Sequence, residues 1–537
     1  MSQSELCFQS IQELAPRLAS GEVSPVDVVD ALLNRIEAYN DTLNAYLHID
    51  ASGARAEALA AEKAIQQGNY CGPLHGIPIA HKDIFHVRGL PTTGGSRLMG
   101  DYVADADCTV AGRLRDAGAI CIGKLNTLEF ASGSMEVFGT ARNPWHTDRH
   151  PSGSSSGSGV ALAAHLVQGA SGSDTGGSVR LPAAACGVAG LKPTYGRVSR
   201  TGILPLSWSL DHPGPMARTV GDVATLLQPM VGVDTADRAT SPQSIPDYVS
   251  ALTGDIRDIR VGVPRGYFFD DGDEAVIGAV REAISLMEAL GAQVHEVDLP
   301  WSVYSSSASW AIAYTESFAI HRARFFERAH DYTSAFLHKV AGAACLTIEE
   351  CLTADRVRER VTDEFQHALR KVDVLAMPTT SYTAHPVYGV NPQSETQSLT
   401  RAASLTGLPT LALPCGFAAG LPVSMQLTGR AWDEATVLRV GHAYEQAAGW
   451  SKQHAPIDAQ GNPPVHANQE RLASAVDAQW VLDFAKVSGL SFLTAEDAEP
   501  VAASIGPQKT QLAMSRALLE DDAEPALRPA PMPLAGD

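Results

Sequence analysis

Positive charge is scarce in this chain: 40 Lys and Arg stand against 60 Asp and Glu, a formal net charge of −20. No dense Lys/Arg run offers the basic footprint that a nucleic-acid reader needs. The acidic excess also disfavours anionic lipid as a partner. Long apolar runs are missing too, with no segment reaching the ~18 residues that cross a bilayer. The opening MSQSELCFQSIQELAPRL has no basic stretch followed by an apolar run, so no signal peptide is expected and the protein reads as cytoplasmic. The eight cysteines, at 7, 71, 108, 121, 186, 345, 351 and 415, form no C-x-x-C pair and no Cys/His cluster of zinc spacing. Scattered in this way they read as reduced, mostly buried thiols. There is no G-x-x-x-x-G-K-[ST] loop and no repeat of 20–50 residues. Neither a metal nor a cofactor is expected.

The 537 residues are 45% hydrophobic and 19% charged, the proportions of an ordinary globular protein. At ~150 residues per domain the length allows two to four domains and an ample core. Residues 1–70 read as helical, with Ser24-Pro25-Val26-Asp27 as a helix start and Val28, Val29, Leu32, Leu33 and Ile36 at helical spacing behind it. From about 75 a different grammar sets in. Val110–Gly118 reads as a helix stopped by glycine and Ala119–Gly123 as a buried strand, and the pattern returns at 275–299 and at 361–377. Strands alternating with helices argue an α/β fold with a parallel or mixed sheet. A polar, Pro-bearing stretch at 453–468 marks a boundary, after which 479–489 and 508–519 read as two short helices ahead of a Pro-rich end, ALRPAPMPLAGD.

Two glycine-rich loops carry the chemistry, and a helix-like stretch, 160–167, lies between them. In Gly172-Ser-Asp-Thr-Gly-Gly-Ser178, Gly176 and Gly177 remove two side chains beside a serine. Consecutive amides can then point at one oxygen, the geometry of an oxyanion hole, with a hydroxyl placed to attack a carbonyl. The competing reading is a Gly-rich turn with an idle serine. In the other loop, Gly153-Ser154-Ser155-Ser156-Gly157 fits G-x-S-x-G with Ser155 as nucleophile, although Ser and Gly dominate the stretch and no strand precedes it. Lys82, after the apolar run 76–80, is either a desolvated general base or simply an ion-pair partner of Asp83. His75, His81 and His86 flank it without Cys or Glu partners and read as core or surface histidines. Trp310, Tyr314 and Phe318 form a stripe at four-residue spacing that suits a core, or the wall of an acyl pocket.

Taken in order, these segments resemble the amidase signature family. The resemblance runs through SGSDTGGSVRLPAAACGVAGLKPTYGRVSRTGI (171–203) and on through Ser209–Arg218. CGPLHGIPIAHKDIF (71–85) and FGTARNPW (138–145) lie upstream, GLPTLALPCG (407–416) and GLPVSMQLTG (420–429) downstream, so that it covers roughly 10–450. It implies an amidase signature fold, a central mixed β-sheet covered by helices on both faces. The parts would be an N-terminal helical portion (1–70), a catalytic domain (71–455) and a small C-terminal helical appendage (470–537).

The resemblance also implies a Ser–Ser–Lys triad that hydrolyses a carboxamide through an acyl-enzyme. Ser178 would be the nucleophile, Ser154 the bridging serine held by a cis peptide, and Lys82 the base. The amides of Thr175, Gly176, Gly177 and Ser178 would form the oxyanion hole. The implied partner is a small-molecule amide; esters, carbamates and urea-like bonds are open. Ser152 and Ser156 replace glycines of the family's PGGSSGGS loop, and Ser404 stands where many members carry asparagine. The segment 470–537 resembles the small subunit that accompanies some family members, which would allow homo-oligomers through it. Two other functions stay open: an amidotransferase component that releases ammonia only in a complex, and an α/β-hydrolase-type esterase using Ser155.

Overall fold

The computed structural model describes residues 3–387, 398–457 and 476–520. One mixed sheet of eleven strands forms its spine. The strands are β1 (Tyr46–Ile49), β2 (Pro78–Lys82), β3 (Ile120–Leu125), β4 (Gly169–Asp174), β5 (Ala189–Lys192), β6 (His212–Ala217), β7 (Arg260–Pro264), β8 (Gln293–Val297), β9 (Val374–Pro378), β10 (Thr410–Ala418) and β11 (Leu421–Gly429). Their order in space is β1-β3-β2-β4-β6-β5-β10-β11-β9-β7-β8. β2 runs parallel to β3 and β4, and β7 parallel to β8 and β9. The middle of the sheet, from β4 through β6, β5, β10 and β11 to β9, is antiparallel throughout. Helices flank the sheet, as the sequence grammar predicts for a strand set buried on both sides.

The central strands are fully buried: β2, β3, β4, β5, β6, β9 and β11 show no residue in solvent. β4 is built of small residues, GASGSD, because neighbours crowd it. A Cβ on Gly169 would come 2.7 Å from Leu226, and one on Gly172 would come 2.9 Å from the Ser155 hydroxyl. The residues from Gly172 to Asp174, read in sequence as the start of a loop, therefore lie in the strand. The loop proper is Thr175 to Val179, delivered at the end of β4 and followed by the helix Arg180–Cys186.

Two further expectations are corrected. Residues 1–70 are not wholly helical: Tyr46–Ile49 adds a strand to β3, with its register shifted between Tyr46 and His48. The second C-terminal helix is longer than 508–519 and spans Ala495–Glu520, passing through Pro500 and Pro507. It packs with the helix Ala478–Ser488 and lies on the helices Ser305–Arg328, Ser334–Ala344 and Ile348–Lys371. The boundary stretch around 458–468 and the Pro-rich end lie outside the described residues. Among the cysteines, six are buried, Cys351 is half-buried and Cys71 is exposed. No described helix is long and apolar enough to cross a membrane.

Candidate active site

Strand β2 carries Lys82 to its end and into the interior, where the side chain has no exposure. Asp83 does not neutralise it. That carboxylate takes Lys124 Nζ at 2.8 Å, and Lys124 also donates to Pro91 O and Thr92 Oγ1. Lys82 Nζ is left with two hydroxyls, Ser154 Oγ at 2.7 Å and Ser173 Oγ at 2.8 Å. Burial strips water from the ammonium and pulls its pKa down to about 7, against the weaker opposing fields of Asp211 and Asp174. A buried amine that is half neutral near pH 7 and bonded to a serine has the properties of a general base.

Ser154 is buried in the loop ahead of the helix Ser156–Ala163. The expected cis peptide before it is absent: the described backbone contains no cis bond. The loop reverses instead through two successive left-handed residues, Ser152 at φ 60° and Gly153 at φ 54°. Gly153 is the close approach, since a Cβ there would lie 3.3 Å from Ser178 Cα and 2.5 Å from Pro182. Ser156 Oγ donates to Gly153 O at 2.6 Å, so the serine that replaces a family glycine closes this turn.

Ser178 is half-buried, and its hydroxyl makes no hydrogen bond among the described residues. Its carbonyl accepts from Ser155 N at 3.2 Å, which ties the two serine loops together. The structure thus brings Lys82 and Ser154 into direct contact and sets Ser178 against the same loop. The Ser155 hydroxyl is buried and committed to the backbone of Ser173, donating to its carbonyl at 3.3 Å and accepting from its amide at 3.2 Å. It is not presented as an elbow nucleophile.

Asp174, at the end of β4, organises the loop Thr175–Val179. Its carboxylate accepts from the amides of Gly177 (2.8 Å) and Val179 (3.2 Å) and from Arg180 Nε (3.0 Å) and Nη2 (2.9 Å). Burial raises its pKa, but Arg180, Lys192 and His212 together hold the carboxyl well below the usual range. The Gly177 amide is therefore taken by Asp174, whereas Thr175, Gly176 and Ser178 keep amides that meet no described acceptor. Across the loop, Thr400 Oγ1 donates to Gly176 O at 2.6 Å, and Thr175 Oγ1 donates to Asp211 at 2.5 Å. Burial pushes Asp211 up to about 6 although Thr175 and the amides of Leu206 and Ser207 bond to it. Ser404 Oγ accepts from Arg180 Nη2 at 2.8 Å, so at the position of the family's asparagine a hydroxyl completes the buried arginine.

A cavity of about 270 Å³ opens beside these groups, lined by Ala131, Ser173, Leu204, Leu206, Trp208 and Asp211 among others. It reaches Ser173, the second partner of Lys82. Phe130 and Ala131 both hold left-handed backbone, φ 43° and 64°, a strain that tends to gather at binding sites. The next residue, Ser132, meets the Tyr314 hydroxyl. Of the aromatic stripe, Trp310 and Tyr314 are core and Phe318 is partly buried. His81 is wholly enclosed and paired with Ser171 Oγ at 3.1 Å, and burial lowers it to about 3, so it stays neutral. His75 accepts from Cys71 N at 3.1 Å, and burial lowers the pKa of both His75 and His86. Among the described residues no three His, Cys, Asp or Glu side chains gather as a metal site.

The amidase family model matches residues 27–438. The chain belongs to the amidase family. Its members are carbon–nitrogen hydrolases, and the protein is an enzyme of that class. Among relatives, it is 41% identical over 472 residues to a component of the glutamyl-tRNA(Gln) amidotransferase of Roseiflexus sp. (strain RS-1), covering 82% of this chain and 96% of the relative. Among solved structures, it resembles the native peptide amidase from Stenotrophomonas maltophilia, at 31% identity and TM-score 0.75 over 84% of this chain and 99% of that one. It also resembles a chain from a vestigial protein complex bearing on the origin of an s-triazine catabolic enzyme, at 33% identity and TM-score 0.78 over 82% and 99%. The signature segments of the sequence lie within the matched region. Asp174, Ser173 and Thr400 escape sequence reading as parts of the site. Asp174 and Ser173 stand inside the 171–203 segment with nothing local to mark a role, and Thr400 is remote in the chain.

Proposed function

We propose that this amidase cleaves a small carboxamide through an acyl-enzyme on Ser178, with Ser154 as proton relay and Lys82 as base. Neutral Lys82 accepts the Ser154 proton as Ser154 Oγ accepts the Ser178 proton, and Ser178 Oγ bonds to the amide carbon. Negative charge moves to the former carbonyl oxygen, facing the amides of Thr175, Gly176 and Ser178. The same proton returns through Ser154 to the leaving nitrogen, the C–N bond breaks, and an amine or ammonia departs. Water, deprotonated along the same relay, attacks the ester on Ser178, releases the acid and restores the serine. Lysine does here what histidine does in other serine hydrolases.

The observation that carries this reading is the state of Lys82: buried, without a carboxylate partner, and 2.7 Å from Ser154 Oγ. Gly177 acts differently from expectation in this scheme, because its amide holds Asp174 and the loop shape rather than the oxyanion. The reading is tested by hydrolysis of a panel of small amides, with matched esters and carbamates, by wild-type protein and Ser178→Ala. Loss of at least 1000-fold in kcat/KM for Ser178→Ala is expected. Undiminished turnover in that variant overturns the assignment.

A second reading has the relatives' descriptions in its favour: a chain whose amide cleavage serves an amidotransferase complex. Hydrolysis of free amides by the isolated chain argues for the first reading. An isolated chain that is inert, and hydrolyses only with partner proteins added, argues for the second.

A further inference from the structure

Arg401 follows Thr400 at the start of the helix Arg401–Thr406 and packs its guanidinium on the nucleophile loop. A Cβ placed on Gly176 would come 2.5 Å from Arg401 Nη1, 2.6 Å from Cζ and 2.8 Å from Nε. Glycine at 176 thus leaves the room this side chain fills. The charge is poorly matched by its surroundings. Nη1 reaches only the Ser309 hydroxyl, at 3.3 Å, and Nε is buried with no acceptor. No described carboxylate pairs with it. The nearby Asp174 is engaged by Arg180, and Arg358, Arg197 and Arg200 each have an acceptor on Nε and on both Nη nitrogens. A guanidinium offers five donors in a fixed fork suited to a carboxylate, and leaving most of them unmet on a half-buried side chain is costly.

The surroundings supply further donors. Ser309 is buried on the helix Ser305–Arg328, and the Tyr267 hydroxyl lies beside Ser305 and Ser306 within the field of Arg401. Gly176 is two residues from Ser178, so their Cα atoms are at most about 7.6 Å apart. A group held by Arg401 therefore sits within a few bonds of a carbonyl attacked by Ser178.

We propose that Arg401, with Ser309 and Tyr267 beside it, receives a carboxylate of the substrate, so that the enzyme acts on amides bearing an anionic group a few bonds from the scissile carbonyl. This rests on the assignment of Ser178 as nucleophile. A charge-assisted bidentate pair fixes orientation as well as affinity, which presents the carbonyl to Ser178 in one pose.

Succinamate and butyramide are the probes, alike in length and differing in the carboxylate. Calorimetry on Ser178→Ala protein reads binding without turnover. Succinamate is expected to bind at least tenfold more tightly than butyramide, and Arg401→Gln in the same background to lose at least tenfold for succinamate. Arg401→Lys, which keeps the charge but not the fork, should fall between, and it takes the place of Arg401→Gln if that variant does not fold. In Ser178-intact enzyme the ratio of kcat/KM for succinamate over butyramide should drop by a similar factor in Arg401→Gln, mainly through KM. Equal affinity for the two probes, no succinamate binding at all, or an affinity untouched by either Arg401 change overturns the proposal. Because the first measurement needs no chemistry, failure of the nucleophile assignment would show separately, as turnover surviving Ser178→Ala.

Discussion

At the scale of single residues the site turns on how burial sets charge. As the proposed base, Lys82 can act only when neutral, and burial brings its pKa to about 7. Activity should therefore rise with pH through an acid limb near 7 and fall away below it, where the ammonium cannot accept a proton. A plot of log(kcat/KM) against pH checks this. Ser173 Oγ accepts from Lys82 Nζ and so favours the charged form; Ser173→Ala should move that limb to lower pH. Asp174 gives a stability prediction. Both it and Arg180 have no exposure, and removing one partner of such a pair costs about 3–5 kcal/mol because the other charge stays buried. Asp174→Ala should lose that much in urea unfolding. Lys82, Ser154 and Ser178 stand out in sequence as candidates because each sits in a compact motif whose order matches a family. Thr400, which bonds Gly176 from 224 positions away, is not legible, since no local pattern announces a contact made only by the fold.

Among elements, the loop Thr175–Val179 shows where backbone freedom is needed. Gly177 has φ +132°, and a Cβ there would collide with the Thr400 side chain. Gly177→Ala should cut kcat by about 100-fold by displacing the neighbouring Thr175, Gly176 and Ser178 amides proposed to hold the oxyanion, while leaving the circular dichroism spectrum intact. Helix–Gly–strand units are readable because their apolar periodicity is strong: the pattern over 110–123 corresponds to Thr109–Asp116 and Ile120–Leu125. β6 is not, because HPGPMA carries two prolines that argue against a central strand. There the fold overrides propensity, and Pro213 and Pro215 face the small residues Ser173 and Ser171 of β4. Prolines mislead again at Pro500 and Pro507, inside the helix Ala495–Glu520. Tertiary burial of Val501, Ile505, Leu512 and Leu519 holds that helix together despite them.

On the scale of the whole molecule, the sheet and its helices coincide with what relatives share, and the C-terminal helix pair lies beyond most of that overlap. It is nonetheless built into the body. Lys509 Nζ meets Glu350 at 2.7 Å, the residue that closes the capping box with Thr347, and His338 meets Asp497 at 2.9 Å. Burying each of those four aliphatic side chains contributes roughly 1.5–3 kcal/mol, an upper estimate. A chain ending at 457 should therefore melt at lower temperature and expose apolar surface of the three helices beneath, which a dye-binding thermal scan would register. The fold class is legible from alternation alone; the appendage's seat is not, because nothing in 476–520 specifies which helices it covers.

The central claim is that Ser178 is the nucleophile and Lys82 its base. Treatment of the protein with an active-site-directed fluorophosphonate, followed by peptide mass spectrometry, tests it most directly. The account predicts label on Ser178 in wild type and none in Lys82→Ala. Label on Ser155, or label on Ser178 that persists undiminished without Lys82, would contradict it.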